Sequence, residues 1–160
     1  MKTRLCYLTG PRPPKKWPEI AVGMLAAHTL VFIKLAQLGF GVYSPILSTC
    51  WWDDGDAASM GADPSIMRTT NLAILHVSDA VMVMPPFDIV TKNGSVRFPF
   101  TGEYVLRSKG KKEFIKTELD SDIEFDEERE LALKWGKIIF HDVNKAGTWL
   151  RYQEWTEEET

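Results

Sequence analysis

A chain of 160 residues, 44% hydrophobic and 26% charged, has enough apolar residues to bury one hydrophobic core. Its net charge of −3 gives no general attraction to a nucleic acid polymer, so no such partner is expected. Two cysteines are too few for a disulfide framework, and the first ten residues lack the apolar run and cleavage site of a signal peptide. We expect a single cytoplasmic domain, residues 1–160.

The most apolar stretch of the chain is residues 20–38. It also carries His28, Thr29, Lys34 and Gln37. A membrane span needs about 20 predominantly apolar residues with few or no charges. A helix buried beside a sheet therefore explains the stretch better, and no membrane partner is expected.

Apolar runs and helix signals alternate along the chain. Pro18 suits the first turn of a helix, Gly39 suits a helix end, and Asp63-Pro64 predicts a cap followed by a first-turn proline. The predicted strands are Leu5–Thr9, residues 40–44, 79–84 and 137–141, with a further strand possible at 113–117. The predicted helices are Pro18–Leu38, Pro64–Val77, residues 101–110, residues 125–135 and the tail, and the predicted long loops are residues 46–63 and 87–99.

This alternation predicts an α/β fold with a mostly parallel sheet. Ligands of such sheets bind beyond the carboxyl ends of the strands. Three loops leave predicted carboxyl ends: residues 10–17, 45–63 and 85–100. All three are rich in proline, glycine, aromatic and charged residues, so we expect the functional site among them.

Metal and nucleotide motifs are weak in this sequence. Three scattered histidines and two distant cysteines match no zinc spacing, and no Walker loop is present, so neither a metal nor a cofactor is expected. The loop after the first strand carries Arg12, Lys15 and Lys16 beside free backbone donors. It could hold an anion, or it could be a solvated turn, and the residues leave both possibilities open.

Four segments in order resemble the nucleoside 2-deoxyribosyltransferase superfamily, which includes the 2'-deoxynucleoside 5'-monophosphate N-hydrolases. They are "YLTGP" after the first strand, "GFGVYSPIL" at the second, "DPSIMRTTNLAILHVSDAVMVMPPFD" at the third, and "TGEYVLRSKGK". The resemblance covers residues 5–112, with a poor match at 54–61. It implies a flavodoxin-like parallel sheet with helices on both faces, a homo-oligomer, and attack by a glutamate on the anomeric carbon of a nucleoside.

The resemblance also implies roles for single residues. Glu103, in the first turn of the predicted helix 101–110, matches the attacking glutamate, and Tyr7 matches the tyrosine that orients it. Asn71 stands where the family commonly has an aspartate, and Asp79 matches an acidic residue that we expect to be structural. The other expected substrate-binding residues are Thr9, Gly10, Arg12, Arg97 and Gly102.

Three further functions of the site have candidates in the loops. Asp88 in "PPFD" could assist departure of the base, or it could be an ordinary exposed loop residue. Arg97 could bind a 5'-phosphate through two hydrogen bonds. The aromatic residues that could hold a base are Trp17, Trp51, Trp52 and Phe87, and those that could form a subunit contact are Trp51, Trp52, Trp149, Tyr152 and Trp155.

These residues predict cleavage of the N-glycosidic bond of a nucleoside 5'-monophosphate or nucleoside. Two alternatives stay open. One is transfer of a 2-deoxyribosyl group between bases, and the other is an inactive nucleotide-binding module. Asn71 in place of an aspartate and Pro99 before the predicted glutamate favour the inactive module.

Overall fold

The computed structural model of the protein describes residues 2–12, 18–49, 64–91, 94–98, 103–108, 111–116 and 123–159. The strands of this part are β1 (Leu5–Thr9), β2 (Gly41–Tyr43), β3 (Ala80–Val83), β4 (Phe87–Thr91), β5 (Gly94–Phe98), β6 (Glu103–Ser108), β7 (Lys111–Lys116) and β8 (Ile138–Phe140). The helices are α1 (Pro18–Leu38), α2 (Pro45–Thr49), α3 (Pro64–Val77), α4 (Ile123–Lys134) and α5 (Val143–Glu159).

Four of these strands form a parallel sheet in the order β2-β1-β3-β8. In its register Tyr7 of β1 lies opposite Tyr43 of β2 and Val81 of β3. The first strand is therefore central, and every carboxyl end in this sheet points to the same edge.

Alternate residues of β1 point to opposite faces of the sheet, and helices cover both faces. Cys6 and Leu8 belong to an apolar cluster with buried residues of α1 and α5. Tyr7 belongs to a second cluster with Leu75 of α3 and Ala132 of α4. The predicted α/β flavodoxin-like sheet with helices on both faces is confirmed.

The first helix runs over the predicted residues. It ends at Leu38, after which Gly39 takes a left-handed φ of 110° and its N–H donates to the Ala36 carbonyl. By length and composition α1 could cross a membrane, and it is the only helix of the described residues with that property. In the fold one of its faces packs against the sheet through Val31 and Leu35.

The chain between β3 and α4 differs most from the sequence prediction. The predicted loop 87–99 contains the antiparallel pair β4–β5, and the predicted helix 101–110 is wrong because Glu103 begins strand β6, which pairs with β7. Both pairs are rich in aromatic and β-branched residues, which favour strands, and Asn93-Gly94 is a strong hairpin signal. The possible strand at 113–117 is confirmed as β7, shifted to Lys111–Lys116.

Two further hydrogen-bonded contacts lie at the start of α2 and at the start of β1. The predicted loop 46–63 begins with a short helix, α2, whose Leu47 N–H donates to the Ser44 hydroxyl oxygen at 3.2 Å. Asp79 accepts a hydrogen bond from the Leu5 N–H at 2.8 Å and lies 3.8 Å from the Arg4 guanidinium. The predicted structural role of Asp79 is confirmed, since it fixes the start of β1.

Candidate functional site

The candidate site begins at the carboxyl end of β1. Tyr7 and Thr9 are two residues apart, so both side chains lie on the face covered by α3 and α4. Both residues are fully buried. Two hydroxyl groups therefore stand inside the protein and require hydrogen-bond partners.

Glu128 of α4 is that partner for both residues. The Tyr7 hydroxyl donates to Glu128 Oε1 at 2.8 Å, and the Thr9 hydroxyl donates to Glu128 Oε2 at 2.5 Å. Glu128 is only 5% exposed. Its carboxylate is thus held by two neutral donors in a largely dry environment, where each interaction is stronger than in water.

A second polar pair lies beside the first. The Tyr43 ring of β2 stands 5.7 Å from the Tyr7 ring, tilted by 42°. The Tyr43 hydroxyl donates to Oδ1 of Asn71, a buried residue of α3, at 2.7 Å. Tyr43 therefore links Asn71 to the Tyr7–Glu128 pair, since its hydroxyl donates to Asn71 and its ring lies beside the Tyr7 ring.

The positive charge next to these residues comes from Arg68, one helical turn before Asn71. Its guanidinium forms an ion pair with Glu127, the neighbour of Glu128 on α4. The Arg68 side chain is 23% exposed, so this pair is partly shielded from solvent. This ion pair thus links α3 to α4 beside the site.

Tyr7 is a hydrogen-bond donor that stays protonated. Burial raises the pKa of its phenol, the Glu128 carboxylate raises it further, and Arg68 opposes that effect only partly. A phenol in this state orients a carboxylate and does not act as a general base. Burial also raises the pKa of Tyr43.

The loop after β1 packs against α1. Gly10 is buried, and an added Cβ there would stand 2.6 Å from His28 Cε1 and 2.6 Å from Met84 Cγ, so only glycine fits. Within the described residues neither ring nitrogen of the fully buried His28 meets hydrogen-bond geometry, although the Pro11 backbone faces the ring. Burial lowers the pKa of His28 to about 4, and the Pro11 backbone opposes this shift.

The structure brings together some of the predicted site residues. Tyr7, Thr9, Gly10 and Asn71 lie at or beside the carboxyl end of β1, whereas Arg12 is an exposed residue of the following loop. Asp88 was expected in a loop, but it is an exposed residue of β4 whose Cα lies opposite that of Arg97 on β5.

Several predicted residues lie outside the described side chains. The backbones of Glu103 and Arg97 are described, but their side chains are not, so both roles stay predictions. The predicted residues that lie outside the described part altogether are Lys15, Lys16, Trp17, Trp51, Trp52 and Gly102.

Sequence reasoning missed Glu128, Arg68 and Tyr43. For Glu128 a signal existed, since the buried face of α4 is marked by Ala132, which lies one helical turn away on the same side. A charged residue on an apolar helix face is uncommon and indicates a special environment. The surrounding "DEERE" is strongly charged, and this pattern is typical of a solvated helix face, which hides the buried position.

Comparison of the chain with protein-family models, curated proteins and solved structures finds no match. Within the described ranges, no three histidine, cysteine, aspartate or glutamate side chains gather in a way that could hold a metal ion.

Proposed function

We propose that the protein cleaves the N-glycosidic bond of a nucleoside or nucleoside 5'-monophosphate, with Glu128 as the carboxylate at the anomeric carbon. The hydrogen bond from Tyr7 to Glu128 carries this proposal. The family resemblance implies a first-strand tyrosine that orients a catalytic glutamate, and the glutamate in contact with Tyr7 is Glu128. This assignment replaces Glu103 in that role.

The reaction develops positive charge on the sugar as the bond to the base breaks. A carboxylate beside the anomeric carbon stabilises that charge or attacks the carbon, forming a glycosyl ester while the base leaves with the bonding electrons. Water then hydrolyses the ester and regenerates the carboxylate. Tyr7 and Thr9 hold the two oxygens of Glu128 in one orientation, which favours attack because the geometry is set before the substrate arrives.

The departing base needs a proton or a hydrogen-bond donor. Asn71 has no acidic proton to give, and with its oxygen accepting from Tyr43 its amide NH2 could offer the base a hydrogen bond alone. Asp88 remains our candidate for this role, as an exposed carboxylate on the strand that follows β3. Arg12 and Arg97 remain our candidates for a 5'-phosphate.

Glu128→Gln is the decisive variant because it keeps the shape of the side chain and removes its charge. We expect the turnover for base release to fall by a factor on the order of a hundred or more. The measurement is chromatographic detection of free base from a panel of nucleosides and their 5'-monophosphates. Glu130→Gln, an exposed position of the same helix, is the matched control and should keep full activity.

Glu103→Gln belongs in the same series. A large loss in Glu103→Gln with normal turnover in Glu128→Gln would return the catalytic role to Glu103 and overturn our assignment. Thermal unfolding of each variant separates loss of chemistry from loss of fold. Adding a second free base to the reaction distinguishes hydrolysis from transfer, because transfer makes a new nucleoside.

A nucleotide-binding module without catalysis is the second candidate function. The observation that favours it is Glu128 itself, which is 5% exposed and accepts hydrogen bonds on both oxygens. In that case nucleotides bind with no release of base, and Glu128→Gln changes stability alone.

A further inference from the structure

The turn that follows β1 lies against a buried histidine of α1. His28 is fully buried, and a Cβ added to Gly10 would stand only 2.6 Å from its Cε1 atom, so the backbone of the turn passes close to the edge of the ring. The backbone of Pro11, the next residue, also faces the ring. Proline has no N–H, so its backbone can only accept, and the ring nitrogen on that side is the one that carries the proton.

The same turn is held from the opposite face of the sheet. Thr9 comes directly before Gly10, and its hydroxyl donates to Glu128 Oε2 at 2.5 Å. The Thr9 carbonyl oxygen accepts from the Met84 N–H at 2.9 Å, which ties the turn to the end of β3. Two consecutive residues thus connect Glu128 on one face of the sheet with His28 on the other.

Stability does not explain a histidine at this position. Within the described residues neither ring nitrogen meets hydrogen-bond geometry, and a buried polar group without a good hydrogen bond costs free energy. Met84, which lies beside the ring at Gly10, belongs to the apolar cluster of this face. An apolar side chain of similar volume would fill the space without that cost. A position that gives up stability in this way is typical of a functional role.

We propose that His28 is a positioning residue that acts on Glu128 from the opposite face of the sheet. Its ring fixes the backbone of Gly10 and therefore of the adjacent Thr9, whose hydroxyl holds Glu128 in one orientation. The effect on catalysis rests on the proposed function, whereas the effect on the contact between Thr9 and Glu128 does not. A carboxylate that attacks a carbon atom must be held in one orientation, so a shift of the turn lowers turnover more than affinity.

A double-mutant cycle in chemical denaturation tests the coupling without any substrate. Thr9→Val removes the hydroxyl that donates to Glu128. We expect it to raise the unfolding equilibrium constant about tenfold in the wild-type protein but less than about threefold in His28→Leu, where the turn is no longer fixed. An equal effect of Thr9→Val in the two backgrounds overturns the proposal.

Leu35→Ala is the matched control for the cycle. Leu35 is also a fully buried residue of α1, and it lies about two helical turns beyond His28, in the apolar cluster. Its effect and that of Thr9→Val should add, because the two side chains share no partner. If His28→Leu does not fold, His28→Phe, which keeps a ring but has no nitrogen, takes its place.

Steady-state kinetics of base release tests the catalytic effect. With the best nucleoside 5'-monophosphate as substrate, we expect His28→Leu to lower kcat about tenfold and to change KM less than about twofold. His28→Gln keeps an N–H donor and should recover most of the lost kcat. Leu35→Ala, although less stable, should keep the wild-type kcat at a temperature where it is folded. An equal loss of kcat in Leu35→Ala would assign the effect to packing alone and overturn the proposal.

The two experiments separate this inference from the proposed function. Coupling in the cycle with no base release from any nucleotide or nucleoside would overturn the proposed function and support the positioning of Glu128 by His28. Base release with no coupling in the cycle would support the proposed function and overturn the positioning role. Thermal unfolding of each variant confirms that the proteins compared are folded.

Discussion

The two faces of the parallel sheet are built from the same strands but differ in chemistry. The face covered by α1 and α5 buries a large apolar cluster, in which Trp149 stacks on Phe40 with ring centroids 6.2 Å apart. Trp149, one of the residues predicted to form a subunit contact, packs partly buried against this cluster, and its role in a subunit contact stays a prediction. The face covered by α3 and α4 has a smaller apolar cluster, the buried Tyr7–Glu128 pair and the partly buried Tyr43–Asn71 pair.

The two faces therefore differ in role: the apolar face contributes mainly to stability, and the polar face holds the hydroxyl groups that contact Glu128. Cys6 and Leu8 of β1 point to the apolar face, and Tyr7 and Thr9, one residue along, point to the polar one. Burial raises the pKa of the Cys6 thiol to about 12, so this cysteine behaves as a small apolar group. The β1 side chains that donate to Glu128 thus lie on one face of the sheet, opposite the apolar cluster.

Leu35→Ala should have the largest effect on stability because it removes apolar contacts from the larger cluster. Leu35 is fully buried, and such a truncation lowers the free energy of unfolding by about 2–5 kcal/mol. Chemical denaturation measures the change. Leu133→Ala, at an exposed position, is the control and should change the value by less than about 0.5 kcal/mol.

The buried His28, which lies on α1, should make the free energy of unfolding decrease at acid pH. Its pKa is about 4 in the folded protein against an ordinary 6.5, so between these values the unfolded chain binds the proton more readily. Stability should therefore fall by about 3 kcal/mol as the pH drops from 6.5 to 4, and level off below. Denaturation at several pH values measures this loss.

His28→Leu removes the titrating group and should flatten that profile. His141→Leu, at an exposed histidine, is the control and should leave the profile as it is. An unchanged slope in His28→Leu would assign the acid sensitivity to other groups.

Thr9→Val should have the smallest effect of the three on stability. The change keeps the side-chain shape but removes the hydroxyl that donates to Glu128, and a lost hydrogen bond to a buried charge costs about 1–3 kcal/mol. Thr29→Val, at an exposed threonine, is the control. A more stable Thr9→Val protein would mean that the polar face tolerates apolar packing as well as the other face does.

The extra strands show why local signals can mislead. The sequence predicted a helix over residues 101–110, with Glu103 in its first turn. The aromatic and β-branched residues that follow it, Tyr104 and Val105, favour a strand instead, and β6 pairs with β7 accordingly.

The sequence by itself determined the order of the layers. Pro18, Gly39 and Pro64 mark helix ends through backbone geometry, which is local, and α1 and α3 begin and end at the predicted residues. Short apolar runs between them predicted the strands of the parallel sheet.

Only the tertiary structure decided which carboxylate meets Tyr7. Glu128 is separated from Tyr7 by 121 residues, and their contact depends on how α4 packs over β1 after the two hairpins have intervened. The residue pattern of α4 does not indicate that its buried Glu128 contacts Tyr7. That partner follows from packing at long sequence range, which fixes where each helix face meets the sheet.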